Sequence, residues 1–325
     1  MNDVPGPLDH KGRAIAVPAF RTLAWVDGTL KDEATRQAAI DLLDLYEASW
    51  SADTLWMRLA SDIADQGTAQ WDAAAARDWL EKAQEKPVTL RGNGAIVEAL
   101  QAVGPPHLRI EQRDRRLIFE ISVPPDAYEA SFADGVITCL TRTPLFCAVQ
   151  GLGFYIPDAL LSLIRHMPQG FRRCRTAIEI PVETARTVLK RAETSHGTGI
   201  GAWRDFAEAQ GGLPDIGWRS VISKTYRERL PPLADTTFDT DVIVEDINGF
   251  LVLTVGARSI WGDVKGHEDL SGYQSVAAYL SPVMAHIGVA QRSLFGAKDH
   301  TPEDRQSVAD YLYRLLPETA ETPGT

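Results

Sequence analysis

The run Ala14–Val26 (AIAVPAFRTLAWV) is mostly apolar and β-prone, and the turn signal Asp27-Gly28 closes it, so it predicts a strand. Asp32 then opens a helical pattern. Ile40, Leu42, Leu43 and Tyr46 recur at helical spacing to about Ser49, the stripe of an amphipathic helix packed on a sheet. Trp71–Ala83 predicts a second helix, Ala-rich, with Trp79 and Leu80 on one side. Lys86–Pro106, interrupted by Gly92 and Gly94, reads as a less regular connection. Beyond it, His107–Glu111 and Arg116–Val123 flank a polar turn at Asp114. Leu117, Phe119 and Ile121 alternate there with Ile118 and Glu120, which predicts a hairpin ended by Pro124-Pro125.

Phe146–Tyr155 (FCAVQGLGFY) predicts a buried strand, with Ala127–Leu140 before it as helix or loop. Its Gly151 and Gly153 fit a bulge or a close backbone approach better than a phosphate cradle, because no dinucleotide fingerprint follows. Pro181–Arg191 looks helical. Ser195–Gly201 (SHGTGIG) lacks the Gly-Lys-Ser/Thr ending and the preceding strand of a nucleotide loop, and reads as a flexible connection. Ile216–Ile222 predicts a strand. Asp241–Ile247 and Phe250–Val255 form a hairpin about Asn248-Gly249, residues that tolerate the positive φ of a type I′ turn. Tyr273, Val276, Ala277 and Leu280 mark a helix ending near Pro282. A last helix begins with Thr301 as N-cap, Pro302 at its first position and Asp304 three residues after the cap.

Strands and helices in this order predict an α+β fold, a mixed or antiparallel sheet with packed helices. The expected domain is a single unit over 14–316, between a flexible tail at 1–13 and a disordered tail at 317–325. The order strand, helix or loop, hairpin, helix occurs twice, which admits two related halves at 14–160 and 170–316.

The 325 residues carry 44 acidic and 33 basic side chains, a net charge of −11. That surplus argues against non-specific nucleic-acid binding, which draws its affinity from neutralised phosphates, and suits a basic or neutral protein partner. The Met1–Arg13 stretch has no apolar core of a signal peptide, and no run approaches a membrane span, so a cytoplasmic location and no membrane partner are expected. Cys139, Cys147 and Cys174 form no C-x-x-C pair and read as core hydrophobes in a reducing compartment.

Catalytic and metal signatures are weak. The seven histidines include no H-x-x-x-H pair, and there is no G-x-S-x-G elbow, so the expectation is no catalytic residue, no metal and no cofactor. The densest polar cluster is Trp261-Gly262-Asp263-Val264-Lys265-Gly266-His267-Glu268-Asp269. It does not follow the alternating ligands of a calcium loop, and Glu268 and Asp269 suit the start of the following helix. Trp218 and Trp261 fit core positions better than interface anchors. Trp261, Asp263, Glu268 and Asp269 are nevertheless the candidate partner-binding residues.

The segment Gly217–Met284 resembles the carboxy-terminal signature of the type VI secretion immunity family (TsiV-like). The likeness runs through Gly217-Trp218-Arg219-Ser220-Val221, Arg229-Leu230-Pro231-Pro232-Leu233, Phe250–Gly256, the corner Gly262-Asp263-Val264, and Tyr273 with Leu280–Pro282. Val149–Phe154 is similar to the glycine-containing strand near the middle of such proteins. Where the family usually shows Gly-Asp-Val-Asn, this chain has Lys265, so no role of that asparagine carries over. The resemblance implies an immunity protein that binds and neutralises a cognate toxin effector acting in the cytoplasm, a nuclease, by occluding its active site. A hydrolase with dispersed catalytic residues and an accessory protein of the secretion system remain as alternatives.

Overall fold

In the computed structural model, which describes residues 4–61, 65–83, 87–113, 116–185, 212–285, 287, 290–291, 294–296 and 301–316, the apolar run near the amino terminus is the spine of a large antiparallel sheet. Its strands are β1 (Leu8–His10), β2 (Arg13–Val26), β3 (Trp56–Ser61), β4 (Asp65–Gln70), β5 (Val88–Asn93), β8 (His107–Arg113), β9 (Arg116–Val123), β10 (Leu145–Tyr155), β11 (Arg219–Ile222), β12 (Val242–Ile247) and β13 (Phe250–Val255). A separate two-stranded ribbon pairs β6 (Ile96–Val97) with β7 (Ala102–Val103). The main sheet runs β12-β13-β11-β10-β2-β9-β8-β5-β3-β4, with β1 paired to the start of β2. The fold is therefore α+β, and all named strand pairs are antiparallel.

The helices are α1 (Glu33–Trp50), α2 (Ala73–Ala83), α3 (Ala130–Leu140), the single turn α4 (Lys224–Arg227), α5 (Ser271–Leu280) and α6 (Pro302–Tyr313). Asp32 caps α1 as its sequence suggests, its carboxylate accepting from the Thr35 amide at 2.8 Å. Thr301 and Asp304 form a full capping box at α6. Asn248 and Gly249 sit at φ of 53° and 84°, both in the left-handed region that a type I′ turn requires.

Strand alternation divides the sheet into two faces. Gln112, Thr22, Gln150 and Arg219 point to one, where Gln112 accepts from the Leu30 amide before α1, Gln150 donates to the Ala133 carbonyl of α3, and Arg219 pairs with Asp134 of α3. Arg21, Trp25, Arg109 and Glu120 point to the other, which is covered by the stretch 178–183, whose last two residues begin a helical turn: Trp25 donates its indole N–H to the Val182 carbonyl at 3.1 Å. With both faces covered, the central strands are buried throughout, and all eight residues of β9 lie in the interior.

Three expectations are corrected. Lys86–Pro106 is not an irregular connection: β5 lies within it and pairs on both sides, with β3 and β8. The tail expected through residue 13 is pinned by β1 against β2. The sheet also extends beyond β5 through β3 and β4, a segment for which the pattern predicted no element. The proposed halves contribute strands to one continuous sheet, β11 to β13 joining the rest through β10. Most of the Pro181–Arg191 helix, the glycine-rich stretch at 195–201, the turn at Asp114 and the tail at 317–325 lie outside the described residues.

Candidate functional site

The densest chemistry lies between the sheet and the stretch that covers its second face. Alternate residues of β8, His107, Arg109 and Glu111, project to that face beside Glu120 of β9, Arg21 of β2 and Arg91 of β5. Arg21 binds Glu120 at 2.7 Å and also donates to the carbonyls of Ile178 and Ile180 at 3.1 and 3.0 Å. Arg109 pairs with both Glu111 and Glu183, Arg91 with Asp158, and Arg113 with Glu111 at 2.7 Å. His107 Nδ1 donates to Asn93 Oδ1 at 2.9 Å, and its Nε2 stands 3.8 Å from Glu120.

Counted by side chain, four arginines face four carboxylates, so the cluster carries no surplus charge. Burial alone would raise the Glu120 carboxyl, but its neighbours His107 and Arg21 hold it well below the usual carboxylate range. Glu111 is held low against the same burial by Arg109. Burial lowers His107 below its ordinary value, against the opposing pull of Glu120. The cleft among Arg21, His107, Arg109, Glu120, Tyr155 and Glu183 has room for about one water molecule. Acids and bases here are committed to each other, and a substrate would have to displace them. Mechanically, the cluster fastens the covering stretch to the sheet.

A second buried network fastens the last helix. Arg314, just past α6, binds Asp215 at 2.6 Å and the carbonyls of Arg175 and Tyr311 at 2.9 and 2.8 Å. The Tyr311 hydroxyl contacts Asp215 and accepts from the Glu179 amide at 2.9 Å. Glu179 is fully buried, and desolvation pushes its carboxyl up to about 8 although the Gln169 amide donates to it at 3.0 Å.

The four candidate partner-binding residues fall in one corner but divide by role. Trp261 is 4% exposed and packs its ring 5.6 Å from Phe154, so it belongs to the core and is corrected as an interface anchor. Asp263 pairs with Arg173 at 3.1 Å and accepts from the Lys265 amide at 2.8 Å. The Glu268 carboxylate accepts from the Asp263 amide at 2.7 Å, closing the corner, and Asp269 accepts from the Ser271 amide at 2.9 Å at the start of α5. Their short-range bonds shape the loop.

Gly151, Gly153 and Gly217 serve close backbone approach. A Cβ at Gly153 would meet the Ile178 backbone, and one at Gly217 would meet Gln150 O at 2.6 Å. Among the described residues no group of His, Cys, Asp and Glu is arranged to hold a metal ion, and no helix is long and apolar enough to cross a membrane.

Sequence reasoning did not single out the ionic cluster. The usable signal was the charged residues at alternate positions of β8, with Glu120 inside an otherwise apolar strand, which together mark a buried polar face.

No protein-family model matches the chain, and no curated protein matches it in sequence. In fold it is similar to a solved structure described as the Pseudomonas aeruginosa T6SS protein PA0821, with a TM-score of 0.63 over 98% of this chain and 89% of that one. The two are 12% identical, so what they share is the fold.

Proposed function

We propose that this chain is an immunity protein that binds a cognate toxin of a type VI secretion system and neutralises it by covering its active site. The observation that carries the reading is the likeness in fold, over nearly the whole chain, to a protein described as a T6SS protein. The ordered segments between Gly217 and Met284 support it independently. The interior chemistry suits binding without turnover: both buried ionic networks are consumed in holding the fold, and the cleft beside Arg21 and Arg109 is too small for a substrate.

The net charge of −11 favours a basic partner, and a basic, phosphate-binding surface is what a nuclease presents. An acidic inhibitor would gain electrostatic steering toward such a toxin in the cytoplasm. A structural accessory of the secretion apparatus is the second reading, favoured by the bare description of the similar structure, which names a system and no activity.

Co-expression with the effector-like protein encoded beside this chain tests the proposal, with survival and co-purification scored together. Rescue accompanied by a stable complex is expected. Rescue without a complex points to an enzymatic antidote, and a complex formed only with apparatus components points to the accessory role.

A further inference from the structure

Among the described residues, each strand on the path from β12 to β4 is paired on both sides except the two at its ends, and the ends differ; the three-residue β1 adds only a short flank to β2. At one, β4 reads Asp-Gln-Gly-Thr-Ala-Gln, and the β3–β4 register slips between Arg58 and Ala60. A polar, irregular strand of this kind is how proteins blunt an edge against further pairing. At the other, β12 reads Val-Ile-Val-Glu-Asp-Ile and keeps an unbroken register with β13 from Val242 to Ile247. Ile243 is 51% and Val244 39% exposed. Among the described residues β13 is the sole ladder neighbour of β12.

The hairpin fixes which backbone groups are free. In a two-residue turn the flanking Ile247 and Phe250 exchange hydrogen bonds, so Glu245 and Ile243 also bond inward. The Gly256 amide bonding to the Asp241 carbonyl at 2.8 Å continues that series. The N–H and C=O groups of Val244 and Asp246 therefore point away from the sheet.

Charge selects the occupant. From Leu230 to Ala257 there are five acidic residues, Asp235, Asp239, Asp241, Glu245 and Asp246, and no lysine or arginine. Arg227 of α4 neutralises Asp246 at 2.6 Å, and the acids Asp241 and Glu245 stay exposed around the strand. A second copy of the chain would set this acidic stretch against itself, which disfavours a strand-to-strand dimer. An extended segment that alternates β-branched and basic side chains would satisfy both the open ladder and the charge.

We infer that β12 is a docking strand that takes an extended, basic segment of the partner as an added strand of the sheet. The inference deepens the immunity reading and rests on it for the partner's identity, the toxin. Backbone bonds to Val244 and Asp246 supply the pairing. On the face of Val244 the segment presents its β-branched side chains, and on the other face Asp241 and Glu245 receive lysine or arginine, whose aliphatic stems cover Ile243.

The test has two arms. In the first, the full chain is mixed at low salt with the peptide acetyl-Lys-Val-Lys-Val-Lys-Val-Lys-amide, or with its glutamate counterpart, and amide hydrogen exchange is followed. The lysine peptide is expected to slow exchange at Val244 and Asp246 about tenfold, the protection one added hydrogen-bonded pair gives, and the acidic peptide to leave it unchanged. In the second arm, toxin affinity is compared for Val244→Pro, Val244→Ala and Glu245→Lys. Proline removes an outward N–H that β13 does not use and is tolerated on an edge strand. Val244→Pro is expected to weaken binding about tenfold or more, Val244→Ala far less, and Glu245→Lys in a salt-dependent way. Should the proline variant not fold, Glu245→Lys and the peptide arm carry the comparison. Equal exchange with both peptides, or unchanged toxin affinity for folded Val244→Pro and Glu245→Lys, overturns the docking strand while leaving immunity intact. If wild-type chain binds no toxin, the immunity reading fails, and the peptide arm alone decides whether β12 accepts a basic strand.

Discussion

Replacing Glu120 by leucine should destabilise the protein by about 3–5 kcal/mol, the cost of stranding one member of a buried ion pair. The magnitude follows from the surroundings of Arg21. Its side chain is 1% exposed and that of Glu120 7%, so neither charge is screened by bulk water. Without Glu120, the Arg21 guanidinium keeps the carbonyls of Ile178 and Ile180 as acceptors but has no countercharge, and Arg109 stands on the same face. Arg21→Met alone should cost a similar amount by stranding Glu120. The double variant Arg21→Met with Glu120→Leu removes both charges and fills the space with apolar volume, and it should lie within about 2 kcal/mol of wild type. Urea unfolding followed by tryptophan fluorescence gives the three values, Trp25 being a reporter because its indole bonds to the adjoining covering stretch at Val182. A double variant as unstable as the sum of the two singles, or a Glu120→Leu cost under about 1 kcal/mol, would refute the claim that the cluster is a coupled structural clamp.

Three further outcomes follow from other parts of the molecule. Trp261→Ala should cost about 3–5 kcal/mol in the same unfolding assay, as loss of a core aromatic does, whereas reversing charge at Asp263, Glu268 and Asp269 should shift toxin affinity little; the opposite pattern would return this corner to the interface. Gly153→Ala should lower the melting temperature by several degrees, roughly 1–3 kcal/mol, because the added methyl meets the Ile178 backbone; an unchanged transition would show that the covering stretch yields there. Glu179 holds its proton up to about 8 in the folded chain and releases it near its ordinary value when unfolded, so the stability it confers is present at low pH and is lost as pH rises toward 8. Glu179→Gln should therefore flatten the decline in melting temperature between pH 5 and 8.5 and exceed wild type by more than about 1 kcal/mol at the upper end; parallel curves would contradict the raised carboxyl.

How far these features could be read beforehand depended on how local their causes are. Asp32, Thr301 and Asn248-Gly249 act on neighbours a few residues away, and each placed its helix end or turn where the structure has it. The apolar runs of β2, β9 and β10 were legible because burial on both faces leaves few polar positions. β3, β4 and β5 were not: β4 owes its conformation to the template of β3, and the Arg91-Gly92 pair within β5 resembles a loop because Arg91 serves the ionic cluster and Gly92 makes room for Trp71. The cluster was hidden for a related reason. Its members come from four strands, from Asp158 after β10 and from the covering stretch, and register brings the strand residues together where spacing along the chain does not. The corner Trp261–Asp269 had the reverse property, a conspicuous local composition whose polar groups shape the loop.

Neutralisation by binding is tested most directly by titrating the purified toxin with this protein, while its activity and the intact mass of both chains are measured. The account predicts that activity falls linearly to zero at a fixed stoichiometric ratio, that both masses are unchanged, and that the toxin regains activity once separated under denaturing conditions and refolded. Complete inactivation at a small fraction of that ratio, or a change in the toxin's mass, would contradict it and make the protein an enzyme acting on its partner.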